Sequence, residues 1–169
     1  MITASVVTFH TSYVDLKRLL DCVLHSSIDI FFIIDNSSND SLREFASLSD
    51  KIVYIHSDNL GFGSGHNIAI RRSIELGAQY HAVINPDIYW EGDVAKLLAG
   101  FMDKQEDCGL VMPKVLYPNG DIQYLCKLLP TPMDLFGRRF IPFKAYQEKH
   151  DAWFELHRTG YAKVMEIPS

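Results

Sequence analysis

An apolar run in the sequence stops abruptly at an amide, a proline and a carboxylate in the stretch HAVINPDIYW, residues 81–90. A short apolar run with this boundary is typical of a buried strand that delivers polar side chains to a sheet edge. Three earlier apolar runs end in the polar stretches FHTSY, DNSSND and NLGFGSGHN. Their hydroxyl, amide and carboxylate groups can hydrogen-bond a polar ligand or hold a hard cation. For any single stretch, ordinary turn formation explains Asn, Asp, Ser and Gly equally well.

Strand and helix patterns alternate along the chain and position these four polar stretches. Strands are predicted at residues 4–9, 28–34, 51–55 and 80–84. Helices are predicted behind a possible cap at Ser12, near residues 41–48, at residues 65–76 and behind a cap at Asp93. This alternation predicts an α/β domain with a mainly parallel central sheet and helices on both faces. Because ligands bind beyond the carboxyl ends of such strands, we expect the four stretches to form one site.

Composition excludes several classes of protein. With 169 residues, 47% of them hydrophobic, the chain can bury a core as one domain. A net charge of -5 supplies no field to hold a nucleic acid backbone, so no nucleic acid partner is expected. The three cysteines, Cys22, Cys108 and Cys126, form no C-x-x-C pair, which disfavours a disulfide framework or zinc site and fits a reducing cytoplasm. The sequence has no signal peptide pattern and no apolar stretch near the roughly 20 residues of a membrane span.

The glycine-rich stretch GFGSG raises the possibility of a dinucleotide site. That fingerprint belongs in the first turn between strand and helix, and the first turn here, HTSY, contains no glycine. The sequence also lacks the G-x-x-x-x-G-K-[ST] pattern of a P-loop. A nicotinamide, flavin or P-loop site is therefore not expected.

The order of VVTFHTS, IIDNSSND, NLGFGSGHNIAI and VINPDIYW resembles the nucleotide-sugar-binding half of a family 2 glycosyltransferase of GT-A fold. The resemblance is particularly to the rhamnosyltransferase-like branch, which builds bacterial surface polysaccharides. The resemblance covers the whole chain, including GLVMPKVLYPNGDIQ. It implies a Rossmann-like GT-A core over residues 1–126, followed by the incomplete start of an acceptor-side region over residues 127–169.

The resemblance implies a role for residues of the first two polar stretches. In such enzymes the first stretch touches the nucleoside, which puts Thr8, His10 and Ser12 near the base and ribose. The second stretch reads the pyrimidine ring, a role that falls to Asp35 and Asn36. A carboxylate or amide there accepts a hydrogen bond from the ring N–H.

The third stretch is expected to hold the ribose and diphosphate. Asn59, Gly61 and Asn67 match the positions that do so in the resembled family. Glycine allows the backbone to approach a ligand closely, and a helix start at Gly65 would offer free N–H groups. The alternative is that Gly61, Gly63 and Gly65 only make the loop flexible.

The fourth stretch, NPD, stands where the family has a D-x-D-like motif. Asp87 is therefore expected to coordinate a divalent cation, Mg²⁺ or Mn²⁺, that bridges the diphosphate. Asn85 departs from the acidic pattern, so we expect it to contact the sugar or orient Asp87, and we expect weak metal binding without the nucleotide. The alternative is that Asp87 caps a helix or turn after Pro86.

The implied reaction is an inverting, metal-dependent transfer of a sugar from a nucleoside diphosphate sugar to a polysaccharide or lipid-linked acceptor. Rhamnose from dTDP-rhamnose and a hexose from a UDP-hexose are the two candidate donors. The catalytic base of the resembled family is a downstream carboxylate, and Glu166 does not match it. We therefore expect a chain truncated before its acceptor half, inactive alone and prone to form a homodimer or aggregate through exposed apolar surface.

Residues 130–154 combine arginines with aromatic side chains. They could lie against the inner face of the membrane or hold a lipid-linked diphosphate, or form an irregular linker whose aromatics fold onto the domain. The residues concerned are Arg138, Arg139, Phe136, Phe140, Phe143 and Tyr146.

A competing hypothesis for the whole chain is a non-catalytic nucleotide-binding or interaction module with the same sheet.

Overall fold

Four strands form the central sheet, and each is rich in β-branched and aromatic residues. They are β1 (Ile2–Thr8), β2 (Ile30–Asp35), β3 (Ile52–His56) and β4 (Tyr80–Ile84). The sheet has the order β3-β2-β1-β4, and every pairing is parallel. The structure, a computed structural model, describes residues 1–125, 128 and 151–155. The four predicted strands are confirmed to within two residues at each end.

Helices cover both faces of this sheet. They are α1 (Tyr13–Leu24), α2 (Phe62–Glu75) and α3 (Val94–Met102), with a short 3₁₀ helix at Ser41–Leu48. The apolar residues of α1 and the 3₁₀ helix pack on one face, where each fully buried leucine contributes about 1.5–3 kcal/mol. The buried residues of these two helices are Leu16, Leu19, Leu20, Val23, Leu42 and Phe45. On the other face, α2 buries Ala69 against Val7, Phe32 and Ile34. The predicted α/β architecture is confirmed.

A division into two compact units falls after Val111. The described part of the second unit contains an antiparallel hairpin of β5 (Val115–Leu116) and β6 (Ile122–Gln123). Gly120 closes its turn with a φ of 89° and donates its N–H to the carbonyl of Tyr117 at 2.8 Å. The predicted domain boundary at residue 126 stays a prediction.

The described helices include none that is both long and apolar enough to cross a bilayer. Several predictions fall outside the described residues. They are those for Cys126, for Glu166 and for the arginines and aromatics of residues 136–146.

Candidate functional site

The carboxyl ends of the four strands meet at one edge of the sheet, as the parallel order requires. Thr8 at the end of β1 pairs with Asp35 at the end of β2, and Asp35 pairs with His56 at the end of β3. Ile84, the last residue of β4, pairs with Val6 of β1. All four polar loops therefore start from this edge.

Asp35 is the buried centre of this edge and has no solvent-exposed surface. Its Oδ1 accepts hydrogen bonds from the Thr8 hydroxyl and the Ser37 N–H, both at 3.0 Å. Its Oδ2 accepts one from the Tyr54 hydroxyl at 2.7 Å. Burial raises the pKa of Asp35, but hydrogen bonds from Ser37, Tyr54 and Thr8 outweigh it, so the pKa lies below its ordinary value. The carboxylate is thus ionised and connects the ends of β1, β2 and β3.

The loops after β1 and β2 are joined by further hydrogen bonds. The Ser37 hydroxyl accepts from the His10 N–H at 2.9 Å, and the Asn36 N–H donates to the Thr8 carbonyl at 2.9 Å. His10 has a φ of 52°, an uncommon conformation for a residue with a side chain. Asn36 also accepts through Oδ1 from the Ser57 hydroxyl at 2.9 Å, which adds the loop after β3.

Sequence reasoning missed Tyr54, Ser37 and Ser57 as members of this edge. Ser37 had a local signal, because an aspartate two residues before a serine N–H commonly forms an Asx turn. Tyr54 and Ser57 had none, since their partners lie 19 and 21 residues away in the sequence.

The loop after β3 turns sharply into α2. Asn59 accepts the Gly61 N–H through Oδ1 at 3.2 Å, and Gly61 adopts a φ of 90°, which favours glycine. Helix α2 begins at Phe62 and not near Gly65, so the Gly65 N–H already donates to the Gly61 carbonyl at 3.0 Å. The prediction of a free N–H group at Gly65 is therefore wrong. The amides without an intrahelical acceptor are those of residues 62–64.

Two of the three glycines of this region lie within the helix, so the flexible-loop alternative is wrong for Gly63 and Gly65. Gly65 faces β1, where an added Cβ would come within 2.7 Å of Val7 Cγ2. Asn67 follows on the second turn of α2, with its side chain exposed. Ser12 holds the position before α1, but its side chain makes no capping hydrogen bond.

The loop after β4 is a tight turn. The Asn85 carbonyl accepts the Ile88 N–H at 3.3 Å, and Pro86 supplies the φ that such turns prefer. Asn85 and Asp87 are both exposed. Within residues 1–125, 128 and 151–155, the Asp87 carboxylate has no hydrogen-bond or ion-pair partner. Asp93 caps α3 by accepting the Lys96 N–H at 3.1 Å, so the helix-cap alternative for Asp87 is wrong. Asp87 does lie in the turn after Pro86, as the other half of that alternative has it.

Comparison with known proteins supplies the family. The model of glycosyl transferase family 2 matches residues 5–165. The chain belongs to glycosyl transferase family 2.

Relatives of this family 2 chain include an archaeal enzyme. The low-salt glycan biosynthesis hexosyltransferase Agl10 of Haloferax volcanii is 30% identical over 118 residues, which cover 68% of this chain and 37% of the relative. The chain thus spans about a third of the length of that curated relative. The structures of S. aureus TarS and S. aureus TarS 1-349 both match with a TM-score of 0.51 at 15% identity. They cover 69% and 70% of this chain and 24% and 42% of their own, and the likeness concerns the fold alone.

The structure of this family 2 chain brings some predicted residues into direct contact and leaves others apart. Thr8, His10, Asp35 and Asn36 belong to one hydrogen-bonded cluster, through Ser37. The other predicted residues lie in the loops of the same edge or at the adjoining helix starts, without a side-chain bond to that cluster among the described residues. They are Ser12, Asn59, Gly61, Asn67, Asn85 and Asp87. Their contacts with a donor stay predictions.

Proposed function

We propose that this chain is the nucleotide-sugar-binding part of a glycosyltransferase that moves a sugar from a nucleoside diphosphate sugar to a glycan or lipid-linked acceptor. The observation that carries the proposal is the convergence of four polar loops on one edge of a family 2 domain. Three of these loops are joined by hydrogen bonds, and the fourth presents the Asp87 carboxylate, which has no partner in the part of the chain that the structure describes. Ligands bind at this edge in sheets of this kind.

The nucleoside is proposed to bind at the cluster formed by the first two loops. Asp35 has no exposed surface, so we assign it to holding the loop in place. Asn36 uses its Oδ1 on Ser57, and its amide nitrogen has no partner among the described residues, so it can donate to a pyrimidine carbonyl. His10, whose backbone N–H donates to the Ser37 hydroxyl, is exposed, and its ring centre lies 4.4 Å from that of Phe9.

A divalent cation is proposed to bind at Asp87. Its carboxylate is exposed and has no partner among the described residues, which fits a hard cation, and Asn85 with its amide oxygen lies two residues before it. The described residues contain no cluster of three or more His, Cys, Asp or Glu side chains that could hold a metal ion. Diphosphate oxygens must therefore complete the coordination, which predicts weak binding of the metal without nucleotide. A bound Mg²⁺ or Mn²⁺ would neutralise charge on the leaving diphosphate.

The proposed transfer inverts the anomeric configuration. An acceptor hydroxyl attacks the anomeric carbon opposite the diphosphate, the carbon–oxygen bond to the diphosphate breaks, and a general base takes the hydroxyl proton. We assign that base to none of the described carboxylates. Asn59 and the amides at the start of α2 are available to the diphosphate, since the N-terminus of a helix favours anions.

Two donor classes stay in the proposal. Rhamnose carried by dTDP follows from the resemblance of the loop motifs, whereas the hexosyltransferase name of the archaeal relative supports a hexose. The same name supports an acceptor in glycan biosynthesis. We further propose a cytoplasmic reaction, supported by Cys22 and Cys108, which are both free.

Self-association and membrane contact are also proposals. Strand β4 is at the edge of the described sheet, and Val83 on it is 52% exposed, which supports the predicted self-association. The predicted membrane contact through residues 130–154 falls almost wholly outside the described residues.

The test is titration calorimetry with UDP, dTDP and GDP, each with and without Mn²⁺. We expect a pyrimidine diphosphate to bind more tightly with Mn²⁺, and Asp87→Ala to lower that affinity about tenfold or more, or about 1.4 kcal/mol. Asp50→Ala is the matched control and should leave the affinity unchanged. Asp50 is also an exposed aspartate, but it lies just before β3, at the amino ends of the strands.

The competing function is a nucleotide-binding module without catalysis. The lack of a described metal cluster and the amide at Asn85 favour it. Binding that is indifferent both to Mn²⁺ and to Asp87→Ala would support this module and contradict the transferase.

A further inference from the structure

The loop that follows β4 is attached to one face of α1. The guanidinium carbon of Arg18 lies 4.3 Å from the ring centre of Tyr89. One turn later on α1, the Cys22 thiol donates to the Trp90 carbonyl at 3.2 Å and accepts the Trp90 N–H at 3.4 Å. Arg18 and Cys22 are four residues apart, which places both on the same side of the helix.

The far end of the loop is attached as well. Asp93 accepts the Ser27 N–H at 3.1 Å and the Ser27 hydroxyl, while it caps α3. Burial raises the pKa of Asp93, but the hydrogen bonds from Ser27 and Lys96, together with the Lys96 charge, outweigh this effect and keep the pKa below its ordinary value. The Trp90 side chain packs against the core cluster that α1 helps to form. Consecutive parts of the loop thus contact α1 or the residues just after it.

These contacts lie close in sequence to Asp87, the exposed carboxylate of the loop. Asp87 is two residues before Tyr89 and three before Trp90, and consecutive Cα atoms are about 3.8 Å apart. On its other side, β4 and the turn at Asn85 restrain it. Because the backbone is restrained on both sides of Asp87, less conformational freedom is lost there when a ligand binds, which raises affinity.

We propose that Arg18 and Cys22 are positioning residues that hold Asp87 where it can meet the cation and diphosphate. The proposal rests on the proposed function, because it gives Asp87 the cation-binding role. Neither residue touches the ligand. Arg18 acts through the ring of Tyr89, and Cys22 acts through the backbone of Trp90.

The experiment compares a ligand that needs the cation with one that does not. The affinity for UDP with Mn²⁺ is compared with the affinity for UMP without metal. If the protein prefers thymidine nucleotides, dTDP and dTMP replace UDP and UMP. Arg18→Ala, Tyr89→Leu and Cys22→Val should each weaken the diphosphate with Mn²⁺ about two- to fivefold, the range expected for an exposed cation–π pair or a weak hydrogen bond. Affinity for the monophosphate should change less than about twofold. A purely structural role would weaken both ligands alike.

Matched variants test whether the contact itself, and not the change of residue, causes the loss of affinity. Tyr89→Phe keeps the ring and Cys22→Ser keeps a donor and an acceptor, so both should retain the wild-type affinity. Lys17→Ala removes the same charge from the neighbouring, exposed position of α1 and should change neither ligand. Loss of affinity in Lys17→Ala equal to that in Arg18→Ala would overturn the proposal.

A spectroscopic reading checks the position of the loop itself. The chain has two tryptophans, so a Trp153→Phe background leaves Trp90 alone as the reporter. Its emission should shift to the red in Arg18→Ala and Cys22→Val, and stay in place in Lys17→Ala and Cys22→Ser. Unchanged emission in all four variants would contradict the attachment.

The two proposals fail in different ways. If wild-type binding is indifferent to Mn²⁺, the metal role of Asp87 and the positioning roles fail together. If Mn²⁺-dependent binding is lost in Asp87→Ala but kept in Arg18→Ala, Tyr89→Leu and Cys22→Val, only the positioning roles fail.

Discussion

Asp35 shows how a single residue organises the candidate site. An ionised carboxylate is costly to bury unless hydrogen bonds replace its water. Here the Thr8 and Tyr54 hydroxyls and the Ser37 N–H supply them from β1, β3 and the loop after β2. A ligand can reach this carboxylate only by displacing one of these donors. The predicted contact of Asp35 with a pyrimidine stays a prediction, whereas its structural role follows directly from its contacts.

Tyr54→Phe should destabilise the protein although it removes only one oxygen atom. The change leaves Oδ2 of buried Asp35 without its donor, which costs about 1.5–3 kcal/mol. Urea unfolding measures the loss. Tyr80→Phe is the control, because the Tyr80 hydroxyl donates to Asp103 at an exposed position and its removal should cost less than about 0.5 kcal/mol. Equal losses in the two variants would refute the assigned role.

At the scale of elements, the approach of α2 to β1 determines where the third loop lies. The contact is made at Gly65, where the buried side chain of Val7 occupies the space that a Cβ would need. Glycine is required here by the packing of a helix on a strand. Because α2 continues from the loop, the same contact positions Gly61 and Asn59 at the edge.

Gly65→Ala should lower the free energy of unfolding by about 1–3 kcal/mol, because the new methyl group overlaps Val7. Adding Val7→Ala removes the overlapping methyls, so the double variant should lose less than the sum of the two single variants. Gly63→Ala is the matched control in the same helix. Nothing lies within 4 Å of its added Cβ, so it should be neutral or stabilising by up to about 1 kcal/mol. Additive losses would show that no overlap exists.

For the molecule as a whole, a network around buried His66 and half-buried His81 connects β1, β4 and α2. The Ser5 hydroxyl contacts both His66 Nδ1 and His81 Nε2 at 2.8 Å. The hydroxyls of Thr3 and Ser73 contact His81 Nδ1 at 2.9 and 2.8 Å. Burial lowers the pKa of both histidines, and burial together with the neighbouring His66 lowers the pKa of His81 to about 4.

Stability should therefore fall as the pH is lowered from about 6.5 towards 4. In that window the unfolded chain takes up a proton at His81 and the folded protein does not, so protonation favours unfolding, by at most about 1.4 kcal/mol per pH unit for one histidine. Urea unfolding at pH 7 and pH 5 measures the difference. In His81→Gln the difference between the two pH values should shrink, and an unchanged difference would contradict a His81 that stays neutral in the folded protein.

Much of this structure could be predicted from local patterns. Apolar runs identify all four strands, and leucines at helical spacing identify α1, because periodicity depends only on neighbouring residues. Parallel order then requires the four loops to share one edge. The predicted start of α2 near Gly65 is too late by three residues. Glycines before Asn67 have low helix propensity, but the packing of the helix on β1 overrides it.

The sequence by itself determined the α/β fold, the shared edge and the polar residues that the four loops bring there. Only the tertiary structure decided which of them are free to meet a ligand. Asp35 accepts a hydrogen bond from Tyr54 on the neighbouring strand, whereas the Asp87 carboxylate has no partner among the described residues. The loop of Asp87 contacts Arg18 through Tyr89, which lies 71 residues further along the chain. Such contacts join residues distant in sequence, so they depend on how the elements pack and leave no local pattern.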